Sequence, residues 1–269
     1  MKFNAICGTP RSGSTLLCNI LNQNPRFHAS STSCIPQSVR ALSSLWSTSP
    51  EVKSDLLHDK DAAEKRMVRA TRAMVEAWYA DTEAEVVFDK GRLWNAQPLA
   101  LKQVFPEAHI FACIRNPVDI IASCEKQHAK NPILDTAQNP IQLTQMKRVE
   151  SLCEPTGIVG QQIDSVQDLS RQRLPFVHVI QFETLVRNPQ LVLDGIYTHL
   201  GEEMFKHDFE NVENTATDAD ALYLNKFPHE GSGAVVVPEG SWQEYVPPEL
   251  AGQVRQRFRE FNQVFGYQS

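Results

Sequence analysis

Long apolar runs are missing from this sequence: nothing in its 269 residues approaches the about eighteen that a membrane-spanning helix needs. A C-x-x-C pair is missing too, and the six cysteines, Cys7, Cys18, Cys34, Cys113, Cys124 and Cys153, show no zinc-ligand spacing. Four of them lie in apolar strand or helix contexts, where small buried thiols are expected and a reducing compartment fits. Positive charge is not in excess. With 26 Lys and Arg against 32 Asp and Glu, the net charge of −6 argues against a general affinity for nucleic acid or an anionic membrane surface. There is no internal repeat and no low-complexity block. The start, Met1-Lys2-Phe3-Asn4-Ala5-Ile6, runs straight into an apolar stretch without a signal-peptide pattern. The expectation is a cytoplasmic protein with no membrane anchor.

What is present is an ordinary globular composition, 42% hydrophobic and 22% charged, in a chain long enough for one large domain over residues 1–269. Short apolar runs alternate with helical patterns. Phe3 to Cys7, His28 to Thr32, Val86 to Phe88, His109 to Ile114 and Phe176 to Phe182 read as strands. Between and after them, helices are expected over Ser14 to Asn24, Ser54 to Tyr79, Ala96 to Phe105, Pro117 to Lys130, Ile141 to Arg171, Glu183 to Leu200 and Pro248 to Phe265. Met67, Val68, Met74, Val75 and Trp78 are the expected core contacts of the second helix. Asn131 to Asn139 reads as a loop, and Ser30 to Ser49 as a polar segment lining a substrate pocket. Strand-helix alternation over this length predicts a three-layer α/β/α fold around a mainly parallel sheet, like that of the P-loop NTPases.

The most informative stretch is Cys7-Gly8-Thr9-Pro10-Arg11-Ser12-Gly13-Ser14-Thr15, which joins the first strand to the first helix. Orphan N–H groups and the positive end of a helix dipole favour an oxyanion at such a corner, and Gly8 and Gly13 let the backbone wrap closely around it. The Gly8-x4-Gly13 spacing matches the nucleotide P-loop, but Ser14 stands where that loop carries its Lys. Arg11 is the cation left in the loop. Arg115, at the end of the fourth strand, is followed by Asn116 as an N-cap, Pro117 as a first helical residue, and Ser123 two turns on. A planar guanidinium and a hydroxyl so placed suit a phosphate monoester.

These motifs, in this order and separation, resemble those of the sulfotransferase family. Pro10-Arg11-Ser12-Gly13-Ser14-Thr15 is similar to its 5′-phosphosulfate loop, and Ile114-Arg115-Asn116-Pro117-x-Asp119-x-x-Ala122-Ser123 to its 3′-phosphate element. Phe182-Glu183-Thr184-Leu185-Val186-x-Asn188-Pro189 resembles the segment after the last core strand, where the Glu is structural. Gly240-Ser241-Trp242-x-x-Tyr245 is similar to the Gly-x-Trp segment that folds back near the nucleotide, and Phe265-Gly266-Tyr267 to a common family ending. There are departures. Val235-Val236-Val237 stand where cytosolic members carry Arg-Lys-Gly for the 3′-phosphate, leaving Lys226 and the backbone as candidates, and Arg92 stands where a His follows the matched Lys90. No Glu lies near Ala29 to Gln37, where some relatives place the base.

The resemblance implies sulfuryl transfer from 3′-phosphoadenosine 5′-phosphosulfate (PAPS) to a hydroxyl or amine, releasing adenosine 3′,5′-bisphosphate (PAP), with no metal required. Arg11, Ser12, Gly13, Ser14, Thr15, Arg115 and Ser123 are the implied nucleotide-binding residues, and Arg11 and Lys90 would stabilise the transferring group. As general base the candidates are His28, His229 and Asp89, in that order. Phe27, Trp46, Trp94 and Phe227 could wall an acceptor pocket built from residues 30–49 and 223–237, with small molecules, sugars and peptides all open as acceptors and an oligomer possible. Two other readings stand beside this one. A P-loop kinase or NTPase would need the missing loop Lys and a Walker B acid that the strand ending at Arg115 lacks. A nucleotide-binding module without catalysis would need no base at all.

Overall fold

Alternation along the apolar runs decides the architecture, because successive side chains of a strand face opposite sides of a sheet. In the first run Phe3, Ala5 and Cys7 join one buried cluster while Ile6 joins another, and in the fourth Ile110 and Ala112 part from Phe111 and Cys113 in the same way. Both faces of the sheet are therefore covered. The computed structural model describes residues 1–130, 132, 144–216, 233–238 and 240–268.

The elements, in chain order, begin with β1 (Lys2–Gly8), α1 (Ser14–Leu21), β2 (Phe27–Thr32), α2 (Ile35–Thr48), α3 (Pro50–His58), α4 (Lys60–Trp78) and β3 (Val86–Lys90). They continue through α5 (Pro98–Val104), β4 (Ile110–Ile114), α6 (Pro117–Lys130), α7 (Gln145–Cys153), α8 (Gly160–Arg171) and β5 (Val177–Gln181). The chain closes with α9 (Phe182–Arg187), α10 (Pro189–Leu200), α11 (Pro248–Arg257) and α12 (Arg259–Phe265). Short 3-10 turns occupy Arg92–Ala96 and Trp242–Glu244. The five strands pair in the order β2-β3-β1-β4-β5, all in parallel. α1 and α10 pack on one face, α2, α4, α5 and α8 on the other, and a third cluster joins α6, α7, α8, α11 and α12. This is the expected three-layer fold.

The chain leaves β1 for the β2–β3 side and later returns to β4, so strand order reverses beside β1. In open parallel sheets the crevice beyond the carboxyl ends at such a reversal is where ligands bind. The loop after β1 and Arg115 after β4 both open there.

Several long expected helices are broken, each for a local reason. The stretch from Ser54 to Tyr79 is interrupted at Asp59, whose extended backbone lets its side chain accept from Ala62 N–H and cap α4 at 3.1 Å. Asn188-Pro189 separates α9 from α10, since proline cannot donate to the preceding turn. α11 and α12 part at Phe258, and α7 and α8 are separated by a loop holding Pro155 and Gly157. The segment 30–49 is mostly helical rather than an irregular polar stretch: α2 fills most of it, with Ile35 and Val39 in the core, while Ser30 to Ser33 border one cavity and Ser43, Trp46 and Ser47 another. Trp78 is 56% exposed rather than a core contact, whereas Val75 is buried as expected. The expected loop 131–139 lies outside the described residues, apart from Pro132.

Candidate active site

The loop after β1 is shaped by three residues with positive φ: Gly8 at 128°, Arg11 at 57° and Gly13 at 80°. A Cβ at Gly8 would overlap the Cys113 backbone of β4, and one at Gly13 would come 2.6 Å from the Phe182 ring. Both glycines are thus required by close approach as well as by φ. Arg11 has no such licence, and its left-handed backbone costs roughly 1 kcal/mol. The loop is tied down from both sides, by Thr9 N–H donating to Cys113 O at 2.9 Å and by Ser12 Oγ donating to Thr9 O at 2.6 Å. Gly13 begins α1 without any side-chain cap, whereas α3, α4 and α7 are capped by Ser49, Asp59 and Thr144. The first-turn N–H groups of α1 are left for another acceptor, at the positive end of the helix.

A cleft of about 450 Å³ opens over this loop. All seven implied nucleotide-binding residues line it: Arg11, Ser12, Gly13, Ser14, Thr15, Arg115 and Ser123. Arg11 Nε donates to Ser123 Oγ at 3.1 Å, and an Arg115 terminal nitrogen donates to Arg11 O at 3.1 Å. The Arg115 guanidinium also lies 4.3 Å over the Phe182 ring, the same ring that abuts Gly13. Its Nε is buried with no hydrogen-bond partner, an unsatisfied donor of the kind that an anionic ligand satisfies. Burial pulls the Arg115 pKa down, against the opposing pull of Asp119 and Glu183, yet the group stays a cation at any ordinary pH. Asn116 Oδ1 accepts from Val118 N–H at 2.9 Å, the N-cap that the sequence indicated.

Lys90 does not line this cleft, but its ammonium reaches the first turn of α1 and donates to Thr15 Oγ1 at 2.9 Å. Asp89, the neighbouring candidate base, is corrected by the structure. It is fully buried and accepts from Ser33 Oγ at 2.5 Å, Tyr79 Oη at 2.5 Å and Trp94 Nε1 at 2.6 Å. Burial pushes its carboxyl up and the three donors pull it back, so it works as a buried packing hub that joins residues 33, 79 and 94. Trp94 is likewise a core residue, whereas Phe27, though buried, borders the cavity that holds His28.

His28 opens into a different cavity, of about 720 Å³, along the free edge of β2 with Ser30 to Ser33, Trp78 and Tyr79. It pairs with Val87, three register positions before Lys90, or roughly 10 Å along the strand at about 3.3 Å per residue. Burial lowers its pKa, which keeps the imidazole neutral at pH 7. His229, Lys226 and Phe227 lie outside the described residues.

The C-terminal segments complete the cleft. Asn19 and Asn22 of the α1 turn hold residues 214–216 through their side-chain amides, and residues 209–212 pair with Gly233 and Val235 at 2.7 Å. Val235 thereby packs on the core while Val236 and Pro238 face the cleft beside Trp242 and Tyr245. Lys126, Gln127 and Lys130 also line it, residues that the linear motif reading passed over although they share one helical stripe with Ser123. Glu183 is structural, as the resemblance implied: one oxygen accepts from Asn116 N–H and the other from Tyr267 Oη, each at 3.0 Å. Among the described residues no cluster of His, Cys, Asp and Glu is arranged for a metal ion, and no helix is long and apolar enough to cross a membrane.

The model of the sulfotransferase family matches residues 5–206. A search of curated proteins finds no match to the sequence. Among solved structures, a sulfotransferase domain from the curacin biosynthetic pathway superposes with a TM-score of 0.57 at 15% identity, covering 98% of this chain and 97% of that one. A retinol dehydratase in complex with androsterone and the inactive cofactor PAP gives 0.55 at 14% identity, over 97% of this chain and 80% of that one. A mouse sulfotransferase complexed with PAP gives 0.54 at 14% identity, over 97% and 84%. At these identities the likeness is one of fold.

Proposed function

The chain belongs to the sulfotransferase family, and from that premise we propose that it transfers a sulfuryl group from PAPS to a hydroxyl or amine of an acceptor. The observation that carries the reading is the convergence of the 11–15 loop, Arg115 and Ser123 on one cleft, with Arg11 bonded to Ser123. The uncapped start of α1 and the orphan Arg115 Nε fit an anionic ligand. The donor, when bound, supplies an activated sulfuryl group on a phosphate leaving group.

The chain's own residues supply position and charge, which is most of what such a transfer asks of a protein. Arg11, the loop N–H groups and the Ser14 and Thr15 hydroxyls hold the 5′-phosphate end. Arg115 and Ser123 hold the ribose phosphate. Lys90, presented at Thr15, stabilises charge building on the reacting oxygens. His28 remains a candidate base only for an acceptor that reaches from the β2-edge cavity to the cleft, since it faces that separate cavity roughly 10 Å of strand from Lys90, and His229 is the second candidate for the role. Since Asp89 already serves three donors, a magnesium-binding acid of the NTPase kind is not supported at the end of β3.

Thermal unfolding of the protein with PAP, and separately with ATP and Mg²⁺, tests the donor. PAP is expected to raise the melting temperature and ATP with Mg²⁺ to leave it unchanged; the reverse order would sink the proposal.

A further inference from the structure

The cleft extends past Ser123 along α6. Asp119, Ala122, Ser123, Lys126, Gln127 and Lys130 all line it, at intervals of three and four residues, so one stripe of the helix forms its floor. At about 1.5 Å per residue, Lys126 lies roughly 4.5 Å and Lys130 roughly 10.5 Å beyond Ser123 along the helix axis. The facing wall is Val236, Pro238, Trp242 and Tyr245, which carries no charge. An anion entering between floor and wall at this end meets the α6 lysines.

Three observations bear on the charge of Lys126. Glu125, the acid next to Lys126 in sequence, is already engaged by Arg148 through both carboxylate oxygens, at 3.0 and 2.5 Å. Lys126 Nζ sits 5.7 Å from the centroid of the Tyr245 ring, an aromatic partner that leaves its charge unneutralised. Asp119 lies at the other end of the stripe, where the Arg115 charge acts on its carboxyl. Lys126 itself is exposed, so its long stem can swing its ammonium along the floor.

We infer that Lys126, supported by Lys130 one turn on, is the phosphate-monoester subsite that takes over the contact the Val235–Val237 stretch does not provide. The ligand class is a nucleoside bisphosphate: a 5′-phosphate in the Gly8–Thr15 loop, a second phosphate on the ribose between Arg115, Ser123 and Lys126. The inference rests on the PAPS reading and sharpens it by naming what makes the site prefer a 3′-phosphorylated nucleotide.

Titration calorimetry with PAP and with AMP on the intact wild-type, K126A, K130A, K126A/K130A and K126R proteins tests it, with circular dichroism melts confirming that each variant is folded. Wild type is expected to prefer PAP. K126A should lower that preference roughly tenfold, the order expected for a lost charge-assisted contact. Its AMP affinity should stay within about twofold, because the 5′-phosphate end is untouched. K126R should keep most of the preference and the double variant lose the most. Full PAP preference in K126A/K130A would overturn the subsite and leave the donor reading standing. Equal affinity of wild type for PAP and AMP would overturn the donor reading and the subsite with it.

Discussion

Arg11 Nε and Ser123 Oγ meet at 3.1 Å, joining the turn before α1 to the second turn of α6 across 112 positions of sequence. Arg11 is held there in a left-handed conformation that a glycine would adopt without strain. The chain accepts that cost for a cation at this point of the loop. Replacing Arg11 by Gly should therefore relieve roughly 1 kcal/mol of backbone strain, enough to offset most of the lost hydrogen bond. The expected outcome is a variant that melts within a few degrees of wild type and binds PAP at least about tenfold more weakly. Calorimetry paired with a thermal melt reads both, and a large loss of stability would show that the loop needs Arg11 for folding.

Ser123→Ala isolates the other half of the pair. It removes one acceptor from Arg11 and one hydroxyl from the cleft without touching the core of α6. PAP affinity should fall by a factor of roughly three to ten, consistent with one hydrogen bond to a charged group. If R11A and S123A act through the same contact, their effects on PAP affinity will be less than additive in a double-mutant cycle. Strict additivity would mean that the two side chains bind the nucleotide independently.

Glu183 makes a different kind of connection. By accepting from Asn116 N–H and Tyr267 Oη it ties the turn that presents Arg115 to the last residues of the chain. Tyr267 is mostly buried, and burial followed by the nearby carboxylate pushes its phenol well above the usual range, so it remains a donor at all working pH. Tyr267→Phe should cost about 1 kcal/mol and Glu183→Ala about 2 kcal/mol, the latter leaving two donors unserved. Urea unfolding measures both. E183A should also weaken PAP binding through the misplacement of Arg115, whereas Y267F should leave it nearly unchanged.

The sheet was legible because each strand is a short apolar run whose alternate residues face two different clusters, as Ile6 and Cys7 do. The phosphate side of the site was legible for a related reason: Gly8, Gly13 and Asn116 are local backbone devices, written as residue types at fixed spacing. Lys126 carries no such signature, since a surface lysine on a helix looks the same whether it faces solvent or a cleft. Only the packing of the Trp242 turn on α6 gives it a role. Asp89 failed as a base for the opposite reason. Its strand-end position was visible, but its three donors come from residues 33, 79 and 94, which only the fold brings together. Helix breaks such as that at Asp59 were missed because apolar periodicity carries across a short cap without interruption.

Asp89 in its corrected role yields its own test. Asn at this position keeps the shape but turns an N–H₂ toward groups that are themselves donors. A loss of about 2–4 kcal/mol is expected from the unsatisfied pairs at a fully buried site. The protein that remains folded should show the wild-type pH dependence of transfer once an acceptor is in hand. A D89N variant that folds normally and loses the acid limb of that profile would restore Asp89 as the base.

The far end of the sheet holds a group of histidines whose burial predicts a loss of stability in acid. His109 and His178 share a hydrogen bond at 2.8 Å, and the rings of His178 and His199 stack with centroids 3.6 Å apart. One nitrogen of the first pair must accept, so at least one ring is neutral in the folded state. Burial, reinforced by His199 and His109, brings the His178 pKa down to about 4, and burial with Lys102 and His199 lowers that of His109 against an opposing effect of Glu107. A depressed folded-state value means that the unfolded chain takes up protons first as pH falls. The stabilisation is therefore complete above about pH 6.5 and is lost progressively between about 6.5 and 4. Both rings are partly exposed, so solvent screening makes the effect smaller than the full shift implies. H178Q should lose less of its melting temperature than wild type over that interval, even if it starts lower at pH 7.5 because the stack is gone. Parallel melting curves of the two proteins from pH 7.5 to 4 would assign the acid sensitivity elsewhere.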